Sequence, residues 1–129
     1  MKVVKVILKV LLGLMGLVLV YNGFKWAFLP ENNLNTNGII ANTILGINMI
    51  KSDIGAPLMA IGLFQVLFVL GRKEFFFPLI IISLLYFVVR LVSYFVDGSH
   101  PIIEIGLVME VVVPLLNTVL FKLINEEKI

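Results

Sequence analysis

The chain has 129 residues, 60% hydrophobic and 14% charged, with a mean hydropathy of +1.11; an ordinary soluble domain has about half apolar and about a quarter charged residues. Eight Lys, two Arg, two Asp and six Glu give a net charge of +2, and the basic residues sit at segment ends instead of on a face that could track phosphates, which argues against a nucleic-acid partner. Cysteine is absent, which removes disulfides, thiolate nucleophiles, iron-sulfur ligation and haem attachment through C-x-x-C-H.

A membrane-spanning helix needs roughly 20 mostly apolar residues, and four runs qualify: 7–28, 54–70, 76–96 and 102–121. The sequence therefore predicts an all-α integral membrane four-helix bundle, one membrane domain over residues 1–129. Gly71-Arg72-Lys73-Glu74 and Asp97-Gly98-Ser99-His100-Pro101 are tight polar connectors with helix breakers, so the last three spans are antiparallel neighbours.

The link between the first two spans is polar from Pro30 to Gly38 and apolar again over residues 39–50, with Asn42, Thr43 and Asn48 among aliphatic residues. Twelve residues are too few to span, and the stretch is expected as an interfacial or re-entrant helix. The alternative is an extension of span two, kinked near Pro57. Lys2, Lys5 and Lys9 before an apolar run outline a secretory signal, but Tyr21-Asn22-Gly23-Phe24-Lys25-Trp26 offers no small-x-small cleavage site, so span one is expected to be retained.

An inside amino terminus places Lys2, Lys5, Lys9, Arg72, Lys73, Lys122 and Lys128 on the cytoplasmic side, against Lys25 and Lys51 outside. The expectation is a cytoplasmic (inner) membrane protein with both termini cytoplasmic. Tyr21, Trp26 and Tyr94 then mark the outer interface and Phe75, Phe76 and Phe77 the inner one. Because lipid tails are as apolar as Leu, helix association needs small residues or polar contacts. Gly13, Gly16 and Gly23 on span one, with Gly55, Ala56, Ala60 and Gly62 on span two, allow close backbones.

Ser83, Tyr86, Arg90, Ser93 and Asp97 recur at spacings of 3, 4, 3 and 4, so they share one face of span three. Span four carries Glu104 and Glu110, with Gly106, Pro114 and Asn117 on the Glu110 side, and span two carries Gln65. By depth, either carboxylate is within reach of Arg90, and an unpaired charge at a helix centre costs roughly 2.5–3.5 kcal/mol on insertion scales. An Arg90–Glu110 pair is expected, with Glu104 as second partner and Asp97 and His100 extending the network toward Lys51 or Asp53. Ser52 and Asp53 are expected to cap span two. His100 is expected as a loop residue, and one histidine with scattered carboxylates does not match zinc spacing.

Arg90, Glu110, Glu104, Asp97, Tyr86, Gln65 and Lys51 form the candidate polar cluster. Such residues mark either a pocket for a small or amphiphilic ligand or a structural pair that sets helix register. No Walker loop, G-x-S-x-G elbow or H-E-x-x-H is present, so neither a catalytic residue, a cofactor nor a metal is assigned. The expected function is a binding or accessory bundle, with membrane lipid, an amphiphilic small molecule, and a protein partner or second copy as partners. The alternative is a membrane enzyme of isomerase type using Glu104 or Glu110 as acid or base. A proton-coupled exporter usually carries a carboxylate in its first span, and span one has none.

Asn48-Met49-Ile50-Lys51-Ser52-Asp53-Ile54-Gly55, Arg90-Leu91-Val92-Ser93-Tyr94-Phe95-Val96-Asp97-Gly98 and Glu110 together resemble the small bacterial four-pass membrane proteins of domain-of-unknown-function family 4345. The most specific element is an Arg followed seven residues later by Asp-Gly; the family often has Arg where this chain has Lys51. The family looks distantly like DoxX-type four-helix membrane proteins. The resemblance implies architecture and location, and brings no established activity.

Overall fold

The computed structural model describes residues 2–31, 34, 39–40, 43–98 and 100–126. The polar stretch 35–38 with residues 32 and 33, the segment 41–42 containing Asn42, and Ser99 and Lys128 lie outside them. Among the described residues the order is α1 (Lys2–Phe28), α2 (Ile44–Ile50), a π turn (Lys51–Gly55), α3 (Ala56–Val69), a 3-10 turn (Lys73–Phe75), α4 (Phe76–Val96) and α5 (Pro101–Glu126). Four helices are long and apolar enough to cross a membrane: Lys2–Phe28, Ile44–Val69, Lys73–Val96 and Pro101–Glu126. The described residues form the expected all-α class with four helices long and apolar enough to span, consistent with a four-helix bundle. Each is longer than its apolar run, the second because residues 44–53 join it.

The segment 39–50 differs from expectation. Among its described residues the helix begins at Ile44 and runs without a break into span two, making one helix of 26 residues and not a separate interfacial or re-entrant one. Thr43 is the N-cap, its hydroxyl accepting from the Gly46 N–H at 3.0 Å, so Ser52 and Asp53 do not cap the span. They lie inside the π turn, where the Ser52 hydroxyl donates to Asp53 Oδ1 at 2.9 Å. The cause of the turn is Pro57: it has no N–H, and its ring crowds the carbonyl four residues back, at Asp53. The chain widens over Lys51–Gly55, closed by the Ala56 N–H on the Lys51 carbonyl, and the helix continues past the proline.

The chain divides into two compact units. In the unit Gly13–Val66, α1 meets the second span through glycines. A Cβ on Gly62 would lie 2.6 Å from both the Gly16 carbonyl oxygen and the Val20 nitrogen, and one on Gly23 would lie 2.5 Å from the Met59 nitrogen. Backbone touches backbone there, which is how small residues substitute for a hydrophobic driving force inside lipid. Pro30, Leu34 and Gln65 are buried in this unit.

The other unit joins residues 1–12 to 67–129. Span two ends in a Schellman turn: Gly71, at φ 108°, donates to the Phe68 carbonyl and Arg72 to the Leu67 carbonyl, both at 3.0 Å. Phe76 stacks on Phe121 with centroids 4.1 Å apart and lies 5.7 Å from Phe68. Phe76 is therefore a buried packing residue, while Phe77 stays exposed as an interfacial ring would. Lys73 Nζ donates to Asn125 Oδ1 near the same end. At the opposite end His100 caps α5, its Nδ1 accepting from the Ile102 N–H at 3.3 Å, with Pro101 as the first helical residue. Outside these contacts the helices expose Leu84, Leu85, Val88, Val89, Val92, Val108 and Leu115, an apolar exterior suited to lipid.

Candidate functional site

Arg90 on α4 and Glu110 on α5 form the expected pair, with Arg90 Nε 2.8 Å from Glu110 Oε1. The antiparallel hairpin sets their common depth, and Gly106 sets the approach. A Cβ on Gly106 would lie 2.8 Å from both Nε and Cζ of Arg90, so the guanidinium packs on the bare backbone one turn before Glu110. One turn after it, Pro114 supplies no N–H to the Glu110 carbonyl, and Thr118 donates back to the Pro114 carbonyl at 2.8 Å.

The pair is only partly satisfied. It makes a single charged hydrogen bond where an Arg–carboxylate fork can make two. Glu110 Oε2 is buried without a hydrogen-bond partner, and the side chains are 32% exposed for Arg90 and 13% for Glu110. Glu110 thus keeps an acceptor oxygen without a partner, and Arg90 keeps N–H donors that its one hydrogen bond does not use.

The other expected members are placed differently. Glu104 is exposed and borders a shallow apolar groove with Ile105, Val108 and Met109, and does not pair with Arg90. Depth allowed that pairing; azimuth forbids it, because six residues at about 100° each leave Glu104 about 120° around the helix from Glu110. Asp97 accepts from the Ser93 hydroxyl at 2.6 Å at the end of α4, and so serves its own helix rather than the network. Tyr86, one turn from Arg90, is 37% exposed. The stripe on α4 is accordingly partly covered at Ser83, Arg90 and Ser93 and exposed at Tyr86 and Asp97. Gln65 and Lys51 belong to the other unit. Gln65 is buried, and Lys51 lines a cavity at the end of α1 with Phe28, Leu29, Pro30, Glu31, Leu34 and Ile47. Sequence reasoning did not single out Glu31 there; its signal was a lone carboxylate directly after the proline that ends the first apolar run.

Fold and site together define a multi-pass α-helical membrane protein with a polar pair inside its span-three/span-four hairpin. No family model, curated protein or solved structure matches the chain, so the chemistry of the residues carries the functional argument.

Proposed function

We propose that this chain is a membrane-embedded binding protein whose Arg90–Glu110 pair holds the polar group of a small amphiphile. The observation that carries this reading is the half-satisfied pair: Glu110 Oε2 is buried and unpartnered, and Arg90 uses one donor on Oε1. A buried pair that serves only to fix register is expected to satisfy its remaining lone pairs and protons, since unmet groups in a low-dielectric site are costly. A ligand with a hydroxyl or amide N–H beside an acceptor oxygen completes both sides at once, donating to Oε2 and accepting from the guanidinium. Membrane lipid and membrane-dissolved amphiphiles are the source of such groups, and the distribution of Lys and Arg favours both termini on the cytoplasmic side.

Acid–base chemistry shared by Glu104 and Glu110 is the weaker reading, because Glu104 faces the apolar groove and not the pair. Native mass spectrometry of the protein released from its own membrane, with co-purifying small molecules identified, tests the proposal. One stoichiometric amphiphile retained by the wild type and lost in Arg90→Ala supports it. A protein that carries none, or that carries only a partner subunit or a second copy, refutes it and leaves the pair as a device of assembly.

A further inference from the structure

We propose a second binding site, for a zwitterionic phosphoethanolamine headgroup, in the cavity where α1 ends. The cavity lies wholly within the unit Gly13–Val66 and is independent of Arg90 and Glu110. Its volume is about 280 Å³, a little below the roughly 300–1,000 Å³ of pockets that take whole drug-sized ligands. At roughly 30 Å³ per water it holds a headgroup of about eight heavy atoms and excludes the rest of an amphiphile. Exposed Phe24, Phe28 and Leu29 continue outward from it as an apolar surface on which acyl chains can lie.

Its charges decide the ligand class. Lys51 supplies an ammonium and Glu31 a carboxylate, and the other lining residues among those described are apolar. Among the described residues neither is in an ion pair, with the other or with any third group. Opposite charges that line one cavity without pairing match a molecule carrying both charges in a fixed relation: a phosphate diester accepts from Lys51 while its ammonium donates to Glu31. A purely anionic headgroup satisfies Lys51 but sets its phosphate against the Glu31 carboxylate. A choline head has no N–H for Glu31 and is held best by a cage of several aromatic rings, whereas among the described residues Phe28 is the one ring lining this cavity.

Local structure aims the lysine. Ile47 and Lys51 are four apart on one helix face and both line the cavity. The π turn starts at Lys51, and the extra residue it accommodates rotates the preceding turn by about 100° relative to an uninterrupted α-helix. Without Pro57 and its π turn, Lys51 would point elsewhere on the span.

The test uses the full chain in detergent micelles, titrated with phosphatidylethanolamine, phosphatidylglycerol or phosphatidylcholine of identical acyl chains, with retained lipid counted by native mass spectrometry. The wild type is expected to retain one phosphatidylethanolamine with at least tenfold preference over the other two. Lys51→Met should lose retention of all three lipids and Lys51→Arg should restore it. Glu31→Gln should keep a phospholipid but no longer discriminate ethanolamine from glycerol. Soluble glycerophosphoethanolamine, added as competitor, separates the sources: displacement at concentrations comparable to the lipid assigns the site to the free headgroup, and failure to displace assigns it to a bilayer lipid, the headgroup chemistry standing in both. Equal retention of the three lipids by the wild type overturns the proposal, and so does unchanged selectivity in Glu31→Gln; the wild-type series decides even if Lys51→Met does not fold.

Discussion

Removing Arg90 should cost more than neutralising Glu110, and the two changes should not add. In Arg90→Ala the Glu110 carboxylate, 13% exposed and with Oε2 already unpartnered, loses its one charged hydrogen bond. Breaking a buried pair from one side typically costs about 3–5 kcal/mol. The groups are partly accessible here, so a loss of about 2–3 kcal/mol is expected. In Glu110→Gln the stranded group is Arg90, 32% exposed and on a long flexible stem. It can snorkel outward, so the loss should be about 1–2 kcal/mol. The double variant leaves no unpaired charge, and its loss should be at least about 1 kcal/mol smaller than the sum of the single losses. The assay is reversible unfolding in mixed micelles, followed by far-UV circular dichroism on all four proteins. Additive losses, or a larger loss from Glu110→Gln than from Arg90→Ala, would refute the argument that burial of the carboxylate dominates this pair.

Three further outcomes follow from the geometry. Gly106→Val places a side chain where the Arg90 guanidinium lies; the flexible arginine should move instead of the backbone and leave the Glu110 carboxylate without its partner, so the loss should match Arg90→Ala within about 0.5 kcal/mol and be non-additive with Glu110→Gln in the same unfolding assay. Gly62→Val sets a Cβ 2.6 Å from backbone atoms of Gly16 and Val20, which no rotamer relieves. It should destabilise by at least about 2 kcal/mol through overpacking, read from the fluorescence of Trp26, the only tryptophan and in the same unit. His100→Ala removes the acceptor for the Ile102 N–H and should cost about 0.5–1 kcal/mol as a lost N-cap, with amide hydrogen exchange rising in the first turn of α5 and not at Glu110.

Comparing expectation with structure separates two kinds of information. The four spans and the helical class were legible because crossing a membrane is a local demand on composition: about 20 apolar residues in a row satisfy it whatever surrounds them. The tight connectors were legible for a similar reason, since Gly71 and Gly98 take positive φ where the chain must turn. The segment 39–50 was not, because a short apolar run followed by polar residues is compatible with a helix on the membrane surface and with the start of a longer span. Thr43 as the cap and the π turn that absorbs Pro57 decided for the longer span.

The polar site divides in the same way. Residue type and depth along the helix, both readable from the sequence, selected Arg90, Glu104 and Glu110 together, because rise per residue is a constant of the α-helix. Only the packing of α4 on α5 chose between the carboxylates: it fixed which side of α5 meets Arg90, bringing Gly106 and Glu110 to the guanidinium and leaving Glu104 on the outside. Likewise the sequence determined that Lys51 and Glu31 flank the first connector, while the tertiary structure alone set them on one cavity without joining them. Insertion into lipid is governed by each helix separately, but association is governed by the faces two helices present to each other, and a face has no meaning until its partner is in place.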